Sequence, residues 1–342
     1  MSERGLISIG EARRLVAHLM RRDPYIYWTD FLFSAVLGWG AFYAAVVLPF
    51  PSFGFVLALL VSALAFYRAA IFIHELSHFR PDEFPLFRVA WNALIGVPLL
   101  VPSFMYDGVH NDHHKPDVYG TGEDGEYVPF VLHRPLEMIV FLLSALLIPL
   151  LFAIRFLVAA PLSWIIPPLR KPVWERASSL VIDPAYVRSP HAIRSDPNWR
   201  VQEVAATLWA WLALALTWLG VVPAKALGVW YAMAVIVFLL NGLRTLAAHA
   251  YRNPPEHVMS REEQFLDSVD VPGQRFLTTL WAPVGLRYHA THHLFPSMPY
   301  HSLGEAHRIL KGRFPEAYER ITRPSLRVAL VRIWREAGVR IE

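Results

Sequence analysis

The chain has 342 residues, 55% of them apolar and only 18% charged, with twelve tryptophans and no cysteine. So apolar a composition excludes an ordinary soluble domain and points to a membrane protein whose aromatics suit the two bilayer interfaces. Without cysteine, disulfides, thiolate zinc sites, cysteine nucleophiles and a protein-held iron–sulfur cluster are excluded, so any metal must be bound by histidine, carboxylate or backbone oxygen. The net charge of +4 suits anionic headgroups, and nucleic acid is not an expected partner.

In chain order, residues 1–30 carry the pairs Arg13, Arg14 and Arg21, Arg22 without a long apolar run, unlike a cleaved secretory signal. Leu15, Val16, Leu19 and Met20 share one side of a helix whose other side is basic, which predicts an amphipathic helix against the cytoplasmic leaflet. Phe31 to Leu48 is uncharged and ends at Pro49 and Pro51, and Phe53 to Ile73 is interrupted only by Arg68. Both can span, and the short PFPS link makes them a hairpin whose ends the arginine pairs place in the cytoplasm. Arg68, near that end, is expected to snorkel.

Met138 to Ile166 is apolar but contains Pro149, Arg155 and Pro161. It is too short to cross twice, and a single crossing would put its flanks on opposite faces, so an interfacial or re-entrant segment is expected. Val204 to Gly220 and Leu227 to about residue 247, joined by VVPAKA, form a second hairpin. The expected fold is an all-α membrane protein: two transmembrane helical hairpins with spans at about 31–48, 53–73, 204–220 and 227–247. To these are added the interfacial stretch at about 138–166 and a cytoplasmic helical cap. The main domain covers 31–305, and 306–342 is a basic cytoplasmic tail.

Nine of the fifteen histidines sit in four places: His74 and His78 in HELSH; His110, His113 and His114 in HNDHH; His249 in LAAHAY; His289, His292 and His293 in HATHH. Helical spacing presents each H-x-x-H-H as three imidazoles aimed at one point, and all four places come out on the cytoplasmic rim. One such cluster alone is a solvated helix face. Two of them with an H-x-x-x-H point to a shared metal site. Nine neutral donors exceed one tetrahedral zinc and suit two metals with four or five ligands each, and imidazole alone does not choose among iron, zinc, copper and nickel. His18, His133, His191, His257, His301 and His307 lack partners at ligand spacing and are expected to be structural or exposed.

The ordered boxes HELSH, HNDHH and HATHH resemble those of the membrane fatty acid desaturases and hydroxylases, and HHLFPSMPYHSL, from His292 to Leu303, is similar to the bacterial lipid desaturase form. The resemblance covers roughly residues 30 to 305. It implies a helical bundle in the bacterial inner membrane with both termini and the active site cytoplasmic. It also implies two iron ions, cycling between Fe2+ and Fe3+, on His74, His78, His110, His113, His114, His289, His292 and His293. His249 is similar to the extra span-end histidine of acyl-CoA desaturases. Where those enzymes hold a water with an Asn one turn earlier, this chain has Thr245, with Asn241 a further turn back. Glu75 becomes a partner that orients a ligand imidazole, and Asp107, Asp112 and Asp270 are candidates for the same task.

An unactivated C–H bond requires an oxidant that oxygen-activated iron supplies and side chains do not. The expected activity is oxygen-dependent desaturation of a fatty acyl lipid. Electrons must come from a separate ferredoxin or small haem protein, with Arg308, Lys311, Arg313 and Arg320 as plausible contacts. Hydroxylation or oxidative decarboxylation at the same site is the alternative. An H-E-x-x-H zinc protease, with Glu75 as base, and a histidine-rich metal transporter are weaker readings.

Overall fold

The computed structural model describes residues 6–80, 82–189 and 198–338; His191 and both chain ends lie outside that range. Among the described residues the fold is all-helical, with isolated β-bridges in place of strands. Helix α1 (Ile9–Val16) differs from its expectation, because its apolar side is covered by protein: Ala12 and Val16 are fully buried in a cluster with Leu294, Leu303 and Leu310.

Helix α2 (Pro24–Val47) starts at Asp23, which accepts the Tyr25 N–H at 2.9 Å, with Pro24 where a missing N–H costs nothing. Helix α3 (Phe53–Ser77) starts at Ser52, whose Oγ accepts the Phe55 N–H at 3.1 Å. It returns beside α2 so closely that Ser62 Oγ donates to the Gly38 carbonyl at 3.1 Å and a Cβ on Gly38 would lie 3.0 Å from the Phe66 ring. Arg68 does not snorkel. Its Nε donates to Asp30 Oδ1 at 2.6 Å, so the charge is neutralised within the bundle.

Helix α4 (Pro85–Trp91) packs Phe87 and Trp91 under α2 and α3, and α5 (Val109–His113) is one turn opened by Gly108 at φ +89°. Helices α6 (Pro135–Leu143), α7 (Ile148–Ile154) and α8 (Ala160–Ile165) cover the stretch expected to be interrupted by proline. The helix is interrupted at Leu147, just before Pro149, but runs on through Pro161. Pro149 lies in the first turn of α7, where its N–H is not needed, and the missing N–H of Pro161 coincides with a π-helical turn over Arg155–Ala159. Leu142 packs on Gly242 and Phe152 on Phe238, while Arg155 binds Glu203.

Helix α9 (Arg170–Ala177) precedes α10 (Trp199–Trp218) and α11 (Lys225–Leu246). Among the described residues four helices are long and apolar enough to cross a membrane: Pro24–Val47, Phe53–Ser77, Ile148–Ile165 and Lys225–Leu246. The expected span at Val204 to Gly220 is helical as far as Trp218, where α10 ends, but falls outside that set. The first turn of α10 is polar: Gln202 accepts the Phe104 N–H at 3.0 Å, and Glu203 accepts the Trp164 indole N–H at 3.0 Å. The remaining helices are α12 (Arg261–Asp267), α13 (Arg275–Trp281), α14 (His289–Leu294), α15 (Leu303–Arg313), α16 (Pro315–Ile321) and α17 (Leu326–Glu336). Ala306, Leu310, Tyr318 and Ile321 of α15 and α16 form a second core with Ala290 and Leu294, which seats α14.

Candidate metal centre

Four separated segments converge at one end of the bundle. His74 lies on the last turn of α3 with His78 at its cap; His110 and His113 are on α5 with His114 at its cap; His289, His292 and His293 are on α14. His249 follows α11, where Ala250 N–H donates to Asp267 O at 2.5 Å and Val269 N–H donates to Ala248 O at 2.8 Å.

All nine sequence-selected histidines are brought together, in two groups capable of holding metal: His74, His78, His110, His114 and His292, then His113, His249, His289 and His293. The expectation that each H-x-x-H-H aims three rings at one point is corrected. At about 100° per residue, i and i+4 stay within about 40° of each other, whereas i+3 lies on the opposite side of i. Each box therefore sends its i and i+4 rings to one group and its i+3 ring to the other. The groups adjoin, with the His114 and His293 ring centroids 4.5 Å apart.

Within the groups, ring nitrogens face each other at short range. Nε2 atoms lie 3.0 Å apart for His78 and His110, 3.1 Å for His110 and His114, 3.1 Å for His114 and His292, 2.9 Å for His249 and His289, and 3.1 Å for His289 and His293. Metal–imidazole bonds of about 2.1 Å set neighbouring donors about 3 Å apart, so these spacings fit donors around one ion. Both ring nitrogens of His74 are buried without a hydrogen-bond partner, a cost that a metal bond would remove.

Electrostatics agree with ligand chemistry. Burial first, then neighbouring imidazoles, holds His78, His110, His114, His292 and His293 well below the usual histidine range, as burial, His113 and Arg244 do for His249. These rings are neutral, the form that binds metal. His113 is the exception: burial lowers it, but the carboxylates of Asp124, Glu126 and Asp267 raise it further.

The outward ring nitrogens name functional residues that sequence reasoning missed. His113 Nδ1–H donates to Asp124 Oδ2 at 2.7 Å, and His110 Nδ1–H donates to Glu126 Oε2 at 2.5 Å. His249 Nδ1 lies 2.8 Å from the Tyr119 hydroxyl, which donates to Asp267 Oδ2 at 3.1 Å. Such partners fix the tautomer that leaves Nε2 free for metal. The loop carrying them turns at Gly120, φ +71°, whose N–H donates to Asp124 Oδ2 at 2.8 Å. Burial pushes Glu126 up to about 7 and Asp267 up to about 6. The available sequence signal was the acidic run GEDGE closely following HNDHH.

The six other candidates lie as follows. Glu75 accepts the Tyr27 hydroxyl and the Tyr300 N–H and stands 3.9 Å from His74 Nδ1. Asp107 pairs with Arg88 at 3.2 Å, and Asp112 with Lys115 at 2.6 Å. Asp270, fully buried, accepts from Thr291 Oγ1 at 2.7 Å and from His307 Nδ1 at 2.6 Å, which fixes α14 between its ligand-spaced rings and gives His307 a partner. Asn241 Oδ1 accepts from Arg244 Nη2 at 3.1 Å, and Thr245 Oγ1 is buried without a partner.

Residues 51–325 match the fatty acid desaturase family. The chain is also similar to a protein named ceramide hydroxylase from Caulobacter vibrioides (strain NA1000 / CB15N), 44% identical over 327 residues that cover 95% of this chain and 92% of that one. With the match spanning most of its length and the histidine boxes lying inside it, this chain belongs to the fatty acid desaturase family.

Proposed function

We propose that the protein is a membrane oxidoreductase that uses dioxygen and externally supplied electrons to oxidise a C–H bond of a lipid chain at two iron ions. The observation that carries this reading is the convergence of nine imidazoles into adjoining groups of five and four. His74, His78, His110, His114 and His292 would hold one iron; His113, His249, His289 and His293 would hold the other. When bound, the pair supplies an oxidant strong enough for an unactivated C–H bond.

The chain's own residues do the rest. Asp124, Glu126 and Tyr119 orient the rings, and the burial of His110, His113, His289 and His292 keeps water from the reacting carbon. Glu126, with its affinity for a proton centred at about 7, can carry one on the carboxyl oxygen that does not accept from His110. Glu75 is not positioned as a protease base, because its carboxylate is engaged by Tyr27 and Tyr300.

Desaturation stands first in the reading of the sequence alone. The ceramide hydroxylase similarity supports hydroxylation of an N-acyl amino-alcohol lipid as the better outcome, and desaturation of the same substrate is the second reading. The helices capable of crossing support residence in a membrane, with the histidine end cytoplasmic by the arginine bias near α1. An acidic electron donor would dock on that end. A surface cleft of about 410 Å³ lined by Arg252, Arg320, Arg323, Arg332 and Glu319 adjoins a smaller one lined by His249. Glu336 pairs with Arg252 at 2.6 Å and with Arg332 at 3.1 Å, as Glu11 pairs with Arg313 at 2.7 Å, so Arg320 and Arg323 are the better candidate contacts.

The test is lipid analysis of a host that makes saturated ceramides and supplies electrons, expressing wild type or His110→Ala. Oxygenated ceramide that depends on His110 supports hydroxylation, and new ceramide double bonds support the second reading. Unchanged lipids with wild type contradict both.

A further inference from the structure

An arginine inside an apolar helix bundle demands a partner. Arg68 has Asp30, Arg155 has Glu203, Arg88 has Asp107, and Arg188 donates to the carbonyls of Phe104 and Asp107. Arg244 is different. Near the end of α11 it donates from Nη2 to Asn241 at 3.1 Å, its Nε is buried without a hydrogen-bond partner, and no carboxylate lies within ion-pair distance among the described residues. An uncompensated, partly buried guanidinium is costly, and its remaining donors call for oxygen acceptors.

The position of Arg244 says which acceptors. Met233, Val237, Asn241 and Arg244 follow one another at helical spacing, and the first two lie in the apolar cluster shared with Phe66 and Tyr67 of α3. Arg244 lies beside the Tyr67 hydroxyl, whose proton is already given to the Trp281 carbonyl at 2.9 Å. Its charge reaches His249 and His289 of the second group. It precedes His249 by five residues, at the end of the helix that leads to this ligand. A stripe that begins apolar therefore ends in a cation with spare donors beside the metal ligands.

Resting on the reading of this site as a lipid oxidase, we propose that Arg244, oriented by Asn241, anchors the polar end of the substrate. The guanidinium donates to the amide carbonyl and hydroxyl oxygens of an N-acyl amino alcohol. The oxidised carbon then lies within a few bonds of those oxygens, not in the middle of the chain. Asn241 serves by holding this side chain, and not by holding a water on the metal.

The experiment compares wild type, Arg244→Gln and Arg244→Lys as iron-loaded enzymes in nanodiscs with N-palmitoyl sphinganine. It reads KM, kcat, the position of the new oxygen or double bond by mass spectrometry, and iron per chain. Loss of a charge-assisted hydrogen bond is expected to raise KM about tenfold or more in Arg244→Gln, with a smaller change in kcat and a spread of product positions. Arg244→Lys should recover part of the affinity, and iron content should stay unchanged in both. Unaltered KM and product position in Arg244→Gln would overturn the anchor while leaving the oxidase reading intact. Iron loss in both variants would overturn it by making Arg244 a support of the metal cage. A wild type that oxidises no lipid would fail the oxidase reading, and the anchor with it.

Discussion

The two histidine groups are built from the same boxes but braced differently. In the group of four, His113 is tied to Asp124, and His249 reaches Asp267 through Tyr119. In the group of five, His110 alone hydrogen-bonds a carboxylate, Glu126, through its outward nitrogen, while both nitrogens of His74 and Nδ1 of His292 have no hydrogen-bond partner; in the group of four the buried Nδ1 of His289 has none either. Asp124 also raises the proton affinity of its ring, whereas Glu126, itself protonated up to about 7, lends its negative charge only in part near neutrality. The smaller group is thus shaped by its surroundings before metal arrives. The larger one relies on having more donors, and its geometry is completed by the ion.

The sharpest way to break that contrast is Asp124→Asn, which keeps an acceptor for His113 but removes its charge. We expect about 10- to 100-fold weaker metal binding at the group of four, read as loss of one metal per chain on titration with chelator, with the other retained. Equal loss from both groups would erase the distinction. Glu126→Gln should do less, a few-fold at most near neutral pH. In wild type, metal retention by the group of five should rise as pH passes about 7 and Glu126 ionises, and in the glutamine variant that step should vanish.

The smallest expected effect is on the metal-free protein. His78, His110, His114, His249, His289, His292 and His293 have folded-state proton affinities below the unfolded value, so the stability they contribute is full above about 6.5 and is lost as pH falls. His113, Glu126 and Asp267 are raised and act in the opposite sense, favouring the fold at lower pH. We predict a fall in thermal midpoint between pH 7 and pH 5, measured by scanning fluorimetry in detergent. A midpoint that rises over that interval would reverse the assignment.

Much of this centre is legible in the sequence because helical spacing is periodic: eight of the nine histidines stand out by interval, and His249 only by its place at the end of an apolar run. How they divide is less visible, since it depends on i+3 and i+4 diverging around very short helices. Asp124 and Glu126 escape notice because they reach back from a turn at Gly120, where no period links them to His113 and His110. Asp107 and Asp112, chosen for adjacency to the boxes, are instead engaged by Arg88 and Lys115. The apolar runs identify three of the membrane-capable helices. Pro149 marks a real interruption, with a new helix starting at Ile148, whereas Pro161 is absorbed beside a π-helical turn.

The most direct measurement is metal content of the purified, detergent-solubilised protein by inductively coupled plasma mass spectrometry. Two irons per chain are predicted, falling to one in His113→Ala. A single zinc with no iron, or a metal content indifferent to His113, would contradict a centre assembled from both groups.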